Sequence, residues 1–389
     1  MSKIDNLIAK LCPNGVEYKE LQELFFTKNG YTPPTSNKEF WENGTIPWFK
    51  MEDIRINGKI LSTSLQKVSA SAVKSGKLFP KNSIIIATSA TIGEHALITV
   101  PYIANQRFTA LVLKQEFTEK LDIKFIFYYC FKLDVWCCNN ITTSSFASVD
   151  MNGFKKFKFP IPPLEIQREI VKVLDTFTKL EAELEAELEA RRRQYHYYRD
   201  QLLNFEDRDD VQWMTLGEVC DMNAGYHITA SNVSGEQNKK YPFPCFGGNG
   251  IRGYVQKYSN TGPNLIVGRQ GALCGNVQRA KEKFYATEHA VVVKTSNIIN
   301  VDWFFHMLIN MNLNQYASKS AQPGLAVGNL KQLSIPIPSL EEQTRVAGIL
   351  DKFDALVNDL SSGLPAEIAA RRKQYEHYRD RLLTFKEAQ

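Results

Sequence analysis

Pro160-Ile161-Pro162-Pro163-Leu164-Glu165 opens a segment that returns as Pro336-Ile337-Pro338-Ser339-Leu340-Glu341. Each opening is followed by a glutamine (Gln167, Gln343), a Leu-Asp pair (Leu174-Asp175, Leu350-Asp351) and a phenylalanine (Phe177, Phe353). The first copy closes with Arg191-Arg192-Arg193-Gln194-Tyr195, Tyr198-Arg199-Asp200, Leu202-Leu203 and Phe205. The second closes with Arg371-Arg372-Lys373-Gln374-Tyr375, Tyr378-Arg379-Asp380, Leu382-Leu383 and Phe385. Each copy follows a different stretch of more than 100 residues. Such a repeat governs every later assignment. Here two similar helical segments carry two dissimilar globular heads.

The copies read as helices. Ile170, Val173, Leu174, Phe177, Leu180, Leu184 and Leu188 recur every three or four positions, and Tyr195, Tyr198, Leu202 and Phe205 continue the stripe. That spacing puts them on one helix face. The prolines at 160, 162 and 163 mark its start, because proline is excluded from a helix interior. A continuous helix over 164–205 would be roughly 60 Å long at ~1.5 Å per residue. In the second copy Gly363 and Pro365 predict a kink or break. A stripe that long needs a partner, and the other copy supplies one. Phe177, Leu184, Leu188, Tyr195 and Tyr198 are expected to face Phe353, Leu360, Tyr375 and Tyr378. The stretch from Phe177 to Tyr195 is four residues shorter than that from Phe353 to Tyr375 and holds a tandem unit, Glu181-Ala182-Glu183-Leu184 and Glu185-Ala186-Glu187-Leu188. Each such unit adds roughly 6 Å of helix. From periodicity alone, a length-setting role and a merely solvated acidic face stand level.

A chain of 389 residues exceeds one ordinary core. The expected domains are a first head over 1–155, a helix over 156–206, a second head over 207–331 and a helix over 332–389. Both heads have β-rich runs, Ile84-Ile85-Ile86 with Ala96 to Val100, and Leu265-Ile266-Val267 with Ala290 to Val293. Val16-Glu17-Tyr18 parallels Val211-Gln212-Trp213, and Gly30-Tyr31 parallels Gly225-Tyr226. The heads therefore read as distant copies of one fold. The fold class is α+β: two globular mixed α/β heads separated by two long helices, packed as an antiparallel coiled-coil-like pair with pseudo-two-fold symmetry.

Composition allows little catalytic chemistry. Hydrophobic residues make up 43% and charged residues 23%, with a net charge of +5, values of a soluble protein for which a nucleic-acid partner is permitted but not demanded. No secretory signal or membrane-spanning run is expected, and the seven scattered cysteines read as reduced thiols of a cytoplasmic protein. A Gly-x-x-x-x-Gly-Lys-Ser/Thr loop is missing, and Gly247-Gly248-Asn249-Gly250 reads as a turn. No paired Cys/His spacing points to a metal. Nothing matches the Asn-Pro-Pro-aromatic motif of adenine methyltransferases. His95 and His289 are placed in head loops.

The pattern is that of a binder. Arg, Asn and Gln reach purine edges by paired hydrogen bonds, and hydroxyls and histidine add polar contacts. Candidate base readers are Ser89, Thr91, Asn105, Gln106, Arg107, Thr143 and Ser144 in the first head, and Arg252, Arg269, Gln270, His289 and Gln322 in the second. Arg269-Gln270, between Gly268 and Gly271 after a strand, is the foremost pair. Lys50, Lys74, Lys77, Lys239, Lys240, Lys281 and Lys319 could neutralise phosphates. The competing reading is a coiled-coil adaptor whose two heads bind proteins rather than DNA.

Together these residues resemble the specificity subunits of type I restriction–modification enzymes. The resemblance rests on the entry Leu11-Cys12-Pro13-Asn14-Gly15-Val16-Glu17-Tyr18, the two Pro-Ile-Pro openings, the two Arg-Arg-x-Gln-Tyr closings, and Gly247 to Tyr254, Gly268-Arg269-Gln270-Gly271 and Ala286-Thr287-Glu288-His289. It covers nearly the whole chain, and the Glu-Ala-Glu-Leu pair resembles the central repeat of the type IC subgroup. The resemblance implies two target-recognition domains reading a split, asymmetric site on double-stranded DNA, about 34–36 Å apart in successive major grooves. It also implies a length-setting role for 181–188, and helices that dock two modification subunits, with restriction subunits added. S-adenosylmethionine, ATP and Mg2+ would then belong to the partner subunits. This chain would carry no cofactor, no metal and no catalysis.

Overall fold

The computed structural model describes residues 3–142, 147–206, 208–319 and 323–388. The chain divides into two compact units, Met1–Ala182 with Ala370–Gln389, and Glu183–Ala369. The divisions fall inside the repeated helices rather than at their ends, so each unit owns part of both copies.

The first unit begins with α1 (Lys3–Leu11), β1 (Tyr18–Glu20), α2 (Leu21–Leu24), β2 (Phe25–Asn29) and β3 (Ile46–Phe49). Next are α3 (Met51–Asn57), β4 (Ile60–Leu61), β5 (Lys67–Val68), β6 (Ser83–Ala87) and β7 (His95–Ile98). Then come β8 (Ile103–Ala104), β9 (Phe108–Leu113), α4 (Ile123–Asn139), β10 (Ile141–Thr142), β11 (Ser148–Val149), α5 (Met151–Lys156) and β12 (Lys158–Pro160). The helix α6 (Leu164–Leu202) follows. A five-stranded sheet, ordered β2-β9-β6-β7-β4, lies beside a three-stranded one, β5-β3-β8. The run Ile84-Ile85-Ile86 is buried throughout because both faces of the large sheet are covered. Ile85 and Ala87 pack on Phe49, Tyr102 and Ala104 next to the small sheet. Ile84 and Ile86 turn to α4 and to Ile170 and Leu174 of α6.

The second unit repeats this plan. Its elements are β13 (Gln212–Thr215), α7 (Leu216–Val219), β14 (Cys220–Ala224), β15 (Phe243–Gly247) and β16 (Gly250–Val255). They continue with β17 (Asn264–Gly268), β18 (Val277–Ala280), β19 (Tyr285–Ala286), β20 (Ala290–Thr295), α8 (Val301–Asn310), α9 (Val327–Leu330) and β21 (Ser334–Ile337). Helix α10 (Leu340–Asn358) comes next, and α11 (Leu364–Leu382) runs on into the first unit. The sheets are β14-β20-β17-β18 and β16-β15-β19. Strands β17, β18 and β20 play the parts of β6, β7 and β9. The first unit adds β4 at the edge of its large sheet; the small sheets match strand for strand, β16-β15-β19 with β5-β3-β8, but β15 and β16 are joined directly as a hairpin.

Helix pairing follows the sequence expectation within each unit, by exchange between the copies. In the first unit Phe177 stacks on Tyr378 at 5.6 Å and tilts against Tyr375 at 6.2 Å. Arg372 pairs with Glu181. In the second unit Phe353 stacks on Tyr198 at 5.5 Å and Tyr195 at 6.4 Å. Leu188 is buried in the same core, and Leu184 packs against it. Leu360 departs from the expectation. It is 84% exposed, in the turn that ends α10, because Gly363 replaces a continuous helix by a backbone fold. A Cβ on Gly363 would lie 2.4 Å from the Ala355 carbonyl oxygen, so only glycine fits there.

Two polar devices pin each head to its helix, and they explain why the repeat keeps a glutamine and an aspartate. Gln167 is fully buried; it accepts from Asp122 N at 2.8 Å and donates to Lys120 O at 2.9 Å and Pro162 O at 2.6 Å. Gln343 does the same with Asn300 N at 2.7 Å, Ile298 O at 3.0 Å and Pro338 O at 2.9 Å. Asp175 accepts from Lys124 Nζ at 2.6 Å and Tyr128 Oη at 2.7 Å. Asp351 instead takes Arg279 and, at 2.8 Å, His306 Nε2. The Tyr195 hydroxyl lies 3.3 Å from His306 Nδ1.

The chain ends are joined in the first unit. Val16 N donates to Lys386 O at 2.8 Å, Ala388 N donates to Val16 O at 2.9 Å, and Tyr18 Oη donates to Phe385 O at 3.1 Å. In the second unit the matching residues, Leu203, Phe205 and Val211, are a covalent run in one core.

Gln343→Leu leaves an amide and two carbonyls without partners and is expected to cost about 3 kcal/mol. Thermal unfolding of the full chain measures it. Burial pushes the His306 imidazole below its ordinary value; the Asp351 bond opposes this and the Arg279 charge adds to it. The unfolded state therefore binds the proton first. The stability from neutral His306 is present above a pH of about 6.5 and is lost as pH falls below it. His306→Gln is expected to flatten the fall in unfolding midpoint over that window.

Candidate nucleic-acid interface

In the first unit, strands β3, β6 and β8 end at one edge, and the loops after them carry most of the candidates. Asn105 N donates to Phe49 O at 2.9 Å and Thr88 N to Arg107 O at 3.0 Å, so the 105–107 loop is stitched to both neighbours. The Asn105 side chain orients its own loop, accepting from Arg107 N at 2.9 Å and donating to Thr32 Oγ1 at 3.2 Å. Thr32 in turn bonds Gln106. Lys50, Glu52, Asn105 and Arg107 line a cleft of about 220 Å³. Asp53, fully buried, fixes the start of α3 beside Lys50 by accepting from Lys50 N at 2.8 Å and Leu65 N at 2.6 Å. Lys74 joins through Tyr31: its ammonium stands 4.9 Å over that ring, and Tyr31 N bonds Ala104 O. Ser89 and Thr91 follow β6, with Ser89 bridged to Ser148. Lys77 is exposed and does not line the cleft. Thr143 and Ser144 lie outside the described residues.

The second unit has the same frame with different chemistry. Arg269 N donates to His289 O at 2.8 Å, Leu325 N donates to Arg269 O at 2.9 Å, and Gln270 bridges Gly324. Arg269-Gln270 thus stands where Thr88-Ser89 stands in the first unit, and His289 where Arg107 stands. Gly271, at φ +92°, matches Ala90, at φ +63°. Left-handed backbone at both positions turns the loop sharply away from its strand. The glycine-rich segment is the turn its sequence suggested, and the structure shows that it also serves close approach. A Cβ on Gly268 would lie 2.0 Å from Gly248 O, so the β15–β16 tip rests directly on the end of β17. Arg252 projects from β16, exposed, beside this tip. Ser318 N donates to Gly324 O at 2.9 Å, which places the exposed Lys319 near the Gln270 bridge. Gln322 lies outside the described residues.

One candidate, Lys281, is not gathered with the rest, and one histidine is not where the sequence placed it. Lys281 follows Ala280, which pairs with Asn264 at the far end of β17 from Arg269. It lines a separate cleft of about 710 Å³ with Gln237, Phe243 and Tyr254. His95 is not in a loop: it belongs to β7 and is fully buried. Lys239 and Lys240 are exposed in a turn capped by Asn238, whose side-chain Oδ1 accepts from Lys240 N at 2.9 Å. Residue typing missed Glu288. Its carboxylate is 3.0 Å from His227 Nδ1 and 3.4 Å from His289 Nε2. Burial alone would raise it, but its own backbone amide and the two imidazoles hold it below the ordinary carboxylate range. A carboxylate so placed can accept from an exocyclic amino group. The sequence marks it only as part of Ala286-Thr287-Glu288-His289, where His289 alone is a candidate base reader.

Two units of one fold, each presenting polar loops of different chemistry at the same place on its sheets, define a two-headed recognition protein. Comparison with known proteins gives that class its family. The family model for the type I restriction modification DNA specificity domain matches twice, over residues 13–190 and 208–370. The specificity subunit of type I restriction enzyme EcoprrI from Escherichia coli is 61% identical over 373 residues, covering 93% of each chain. That of EcoR124I/EcoR124II, also from Escherichia coli, is 33% identical over 297 residues, 68% of this chain and 71% of that one. Among solved structures, a chain of a type I restriction–modification system described for its complex assembly and conformational transition superposes with TM-score 0.64 at 21% identity, covering 95% and 98% of the two chains. The Mycoplasma genitalium S subunit gives 0.60 at 15%, covering 95% and 96%. These two share the fold. The chain belongs to the type I restriction–modification specificity subunits, and its function is DNA target recognition within such a system. No helix among the described residues is long and apolar enough to cross a membrane.

Gly268→Ala is expected to unseat the β15–β16 tip and cost about 3 kcal/mol, an overpacking effect. Gly271→Ala, with open space around it and alanine already tolerated at the matching position, is expected to cost only about 1 kcal/mol. Unfolding midpoints of the two variants rank them.

Proposed function

We propose that each unit reads one half of a split, asymmetric duplex target, with base contacts from the paired loop ends: Ser89, Thr91 and Asn105 to Arg107 in one, and Arg252, Arg269, Gln270 and His289 in the other. The observation that carries this is positional. Thr88-Ser89 and Arg269-Gln270 share one backbone frame yet offer hydroxyls in one unit and a guanidinium with an amide in the other. Identical frames with unlike donors read unlike bases. Lys50, Lys74 and Lys319 border these loops and suit phosphate contacts, which set register and salt dependence rather than sequence.

The chain itself acts as a non-catalytic subunit in the cytoplasm. Methyl transfer from S-adenosylmethionine falls to two modification subunits docked on the paired helices, and ATP- and Mg2+-dependent translocation and cleavage to restriction subunits. Family membership and the relatives' names support this division of labour.

The test is to map methylated adenines in cells carrying the system, which yields both half-sites, and then to repeat it with Arg269→Ala and Gln270→Ala. Each is expected to relax one half-site by about 1–3 kcal/mol, roughly 10- to 100-fold, while the other is read as before. A uniform loss over all sequences would assign these residues to phosphate contact instead.

A further inference from the structure

The β6–β7 loop of the first unit, residues 88–94, is held in two different ways. Its front half is fixed by backbone pairing, through Thr88 N to Arg107 O and Val149 N to Thr88 O at 2.9 Å. Its back half lies along the C-terminal part of α4. A Cβ on Gly93 would be 2.8 Å from Asp134 O and 2.4 Å from Cys138 Sγ. The Cys138 thiol donates to Ile92 O at 3.4 Å. Where the chain re-enters the sheet, His95 Nδ1 meets Asp134 Oδ2 at 2.6 Å. The imidazole is wholly buried between the rings of Phe127 and Phe131, and the Asp134 side chain is only 9% exposed. Lys59 Nζ stands 3.9 Å from the same carboxylate oxygen.

The fold does not need this pair. In the second unit the corresponding position, opposite Val267 as His95 is opposite Ile86, is Val277, which packs into the core. Burying an imidazole and a carboxylate is unfavourable compared with an apolar side chain of similar size. Two further atoms of the pair, His95 Nε2 and Asp134 Oδ1, are shielded from water without a hydrogen-bond partner. A position serving packing alone would take valine, as the other unit does. The second unit secures its own loop by other means. Asn314 Nδ2 donates to Cys274 O at 2.8 Å, and Gly275 abuts the backbone of Leu313 and Asn314. Each loop thus has a private clamp, and the clamps differ as the loops differ.

We infer that His95 and Asp134 are positioning residues for the first half-site: their bond ties β7 to α4 and so sets where Ser89 and Thr91 stand, without touching DNA. The inference rests on the proposed role of this loop in base reading. Supporting groups that lock a contacting loop convert loose encounters into discrimination, because misplacement of about 1 Å is enough to lose a directional hydrogen bond.

The experiment uses the full-length chain assembled with its modification subunits. Methylation rates are measured on duplexes carrying the mapped target and on duplexes with one base pair changed in either half-site. The half-site left intact by Arg269→Ala is the one assigned to the first unit. His95→Val is expected to reduce discrimination there by about tenfold, the size of a single mismatch effect, and to leave discrimination at the other half-site unchanged. His95→Asn, which can still donate to Asp134 from the place of Nδ1, is expected to restore most of it. A variant that merely folds less well loses rate on every duplex alike, so the ratios are unmoved by misfolding. Unchanged discrimination at both half-sites in His95→Val, or equal loss at both, overturns the positioning role while leaving the loop's reading role standing. A wild-type chain that fails to discriminate at the first half-site overturns both.

Discussion

The architecture depends on an exchange of aromatic side chains between the two copies of one helical segment. Phe177 of the first copy stacks on Tyr378 and tilts against Tyr375 of the second, and Phe353 of the second stacks on Tyr195 and Tyr198 of the first. Large rings bury much apolar area, and their stacking preferences favour one register. Because each phenylalanine finds its tyrosines on the other copy, neither copy can complete a core with its own sequence. Each compact unit must draw on both, and the second unit closes covalently where the first closes by pairing the two ends of the chain.

Given that pairing, the heads are anchored by a few buried polar bonds. The glutamines at 167 and 343 each satisfy one amide and two carbonyls at the point where a head meets its helix. Such bonds are expensive to leave unmade, so they specify the docking geometry more sharply than apolar contact does. The aspartates at 175 and 351 show how far the two units have diverged on one plan. One is held by a lysine and a tyrosine, the other by an arginine and a titratable histidine. The same divergence shows at the loop ends, where backbone pairing at Thr88 and Arg269 is preserved while the side chains offered are not. A rigid frame with replaceable loops is the usual place for recognition.

Much of the candidate interface was legible because strand ends can be read from apolar runs. Arg269 and Gln270 follow Leu265-Ile266-Val267, and the loop there had to be a strand exit. The lysines were less legible. Charge shows that a side chain avoids the core but not which end of a hairpin it occupies, so Lys281 was grouped with residues that lie at the other end of β17. His95 was misplaced because a histidine between short apolar runs resembles a loop residue. Its partner Asp134 is 39 positions away, and no local pattern announces that pair. Leu360 fitted a helical stripe, yet Gly363 ends the helix early and leaves it in solvent.

By itself the sequence determined the doubled plan, the helices, their partnership and the presence of two related heads, because these follow from periodicities of about two and three and a half residues and from repetition. Tertiary structure alone decided which loops share an edge, which polar side chains are buried clamps and which are free to reach a ligand. The physical reason is distance along the chain. Core faces are encoded by neighbours a few positions apart, whereas the candidate site draws on residues such as Lys50, Ser89 and Arg107, brought together only when separate strands pair.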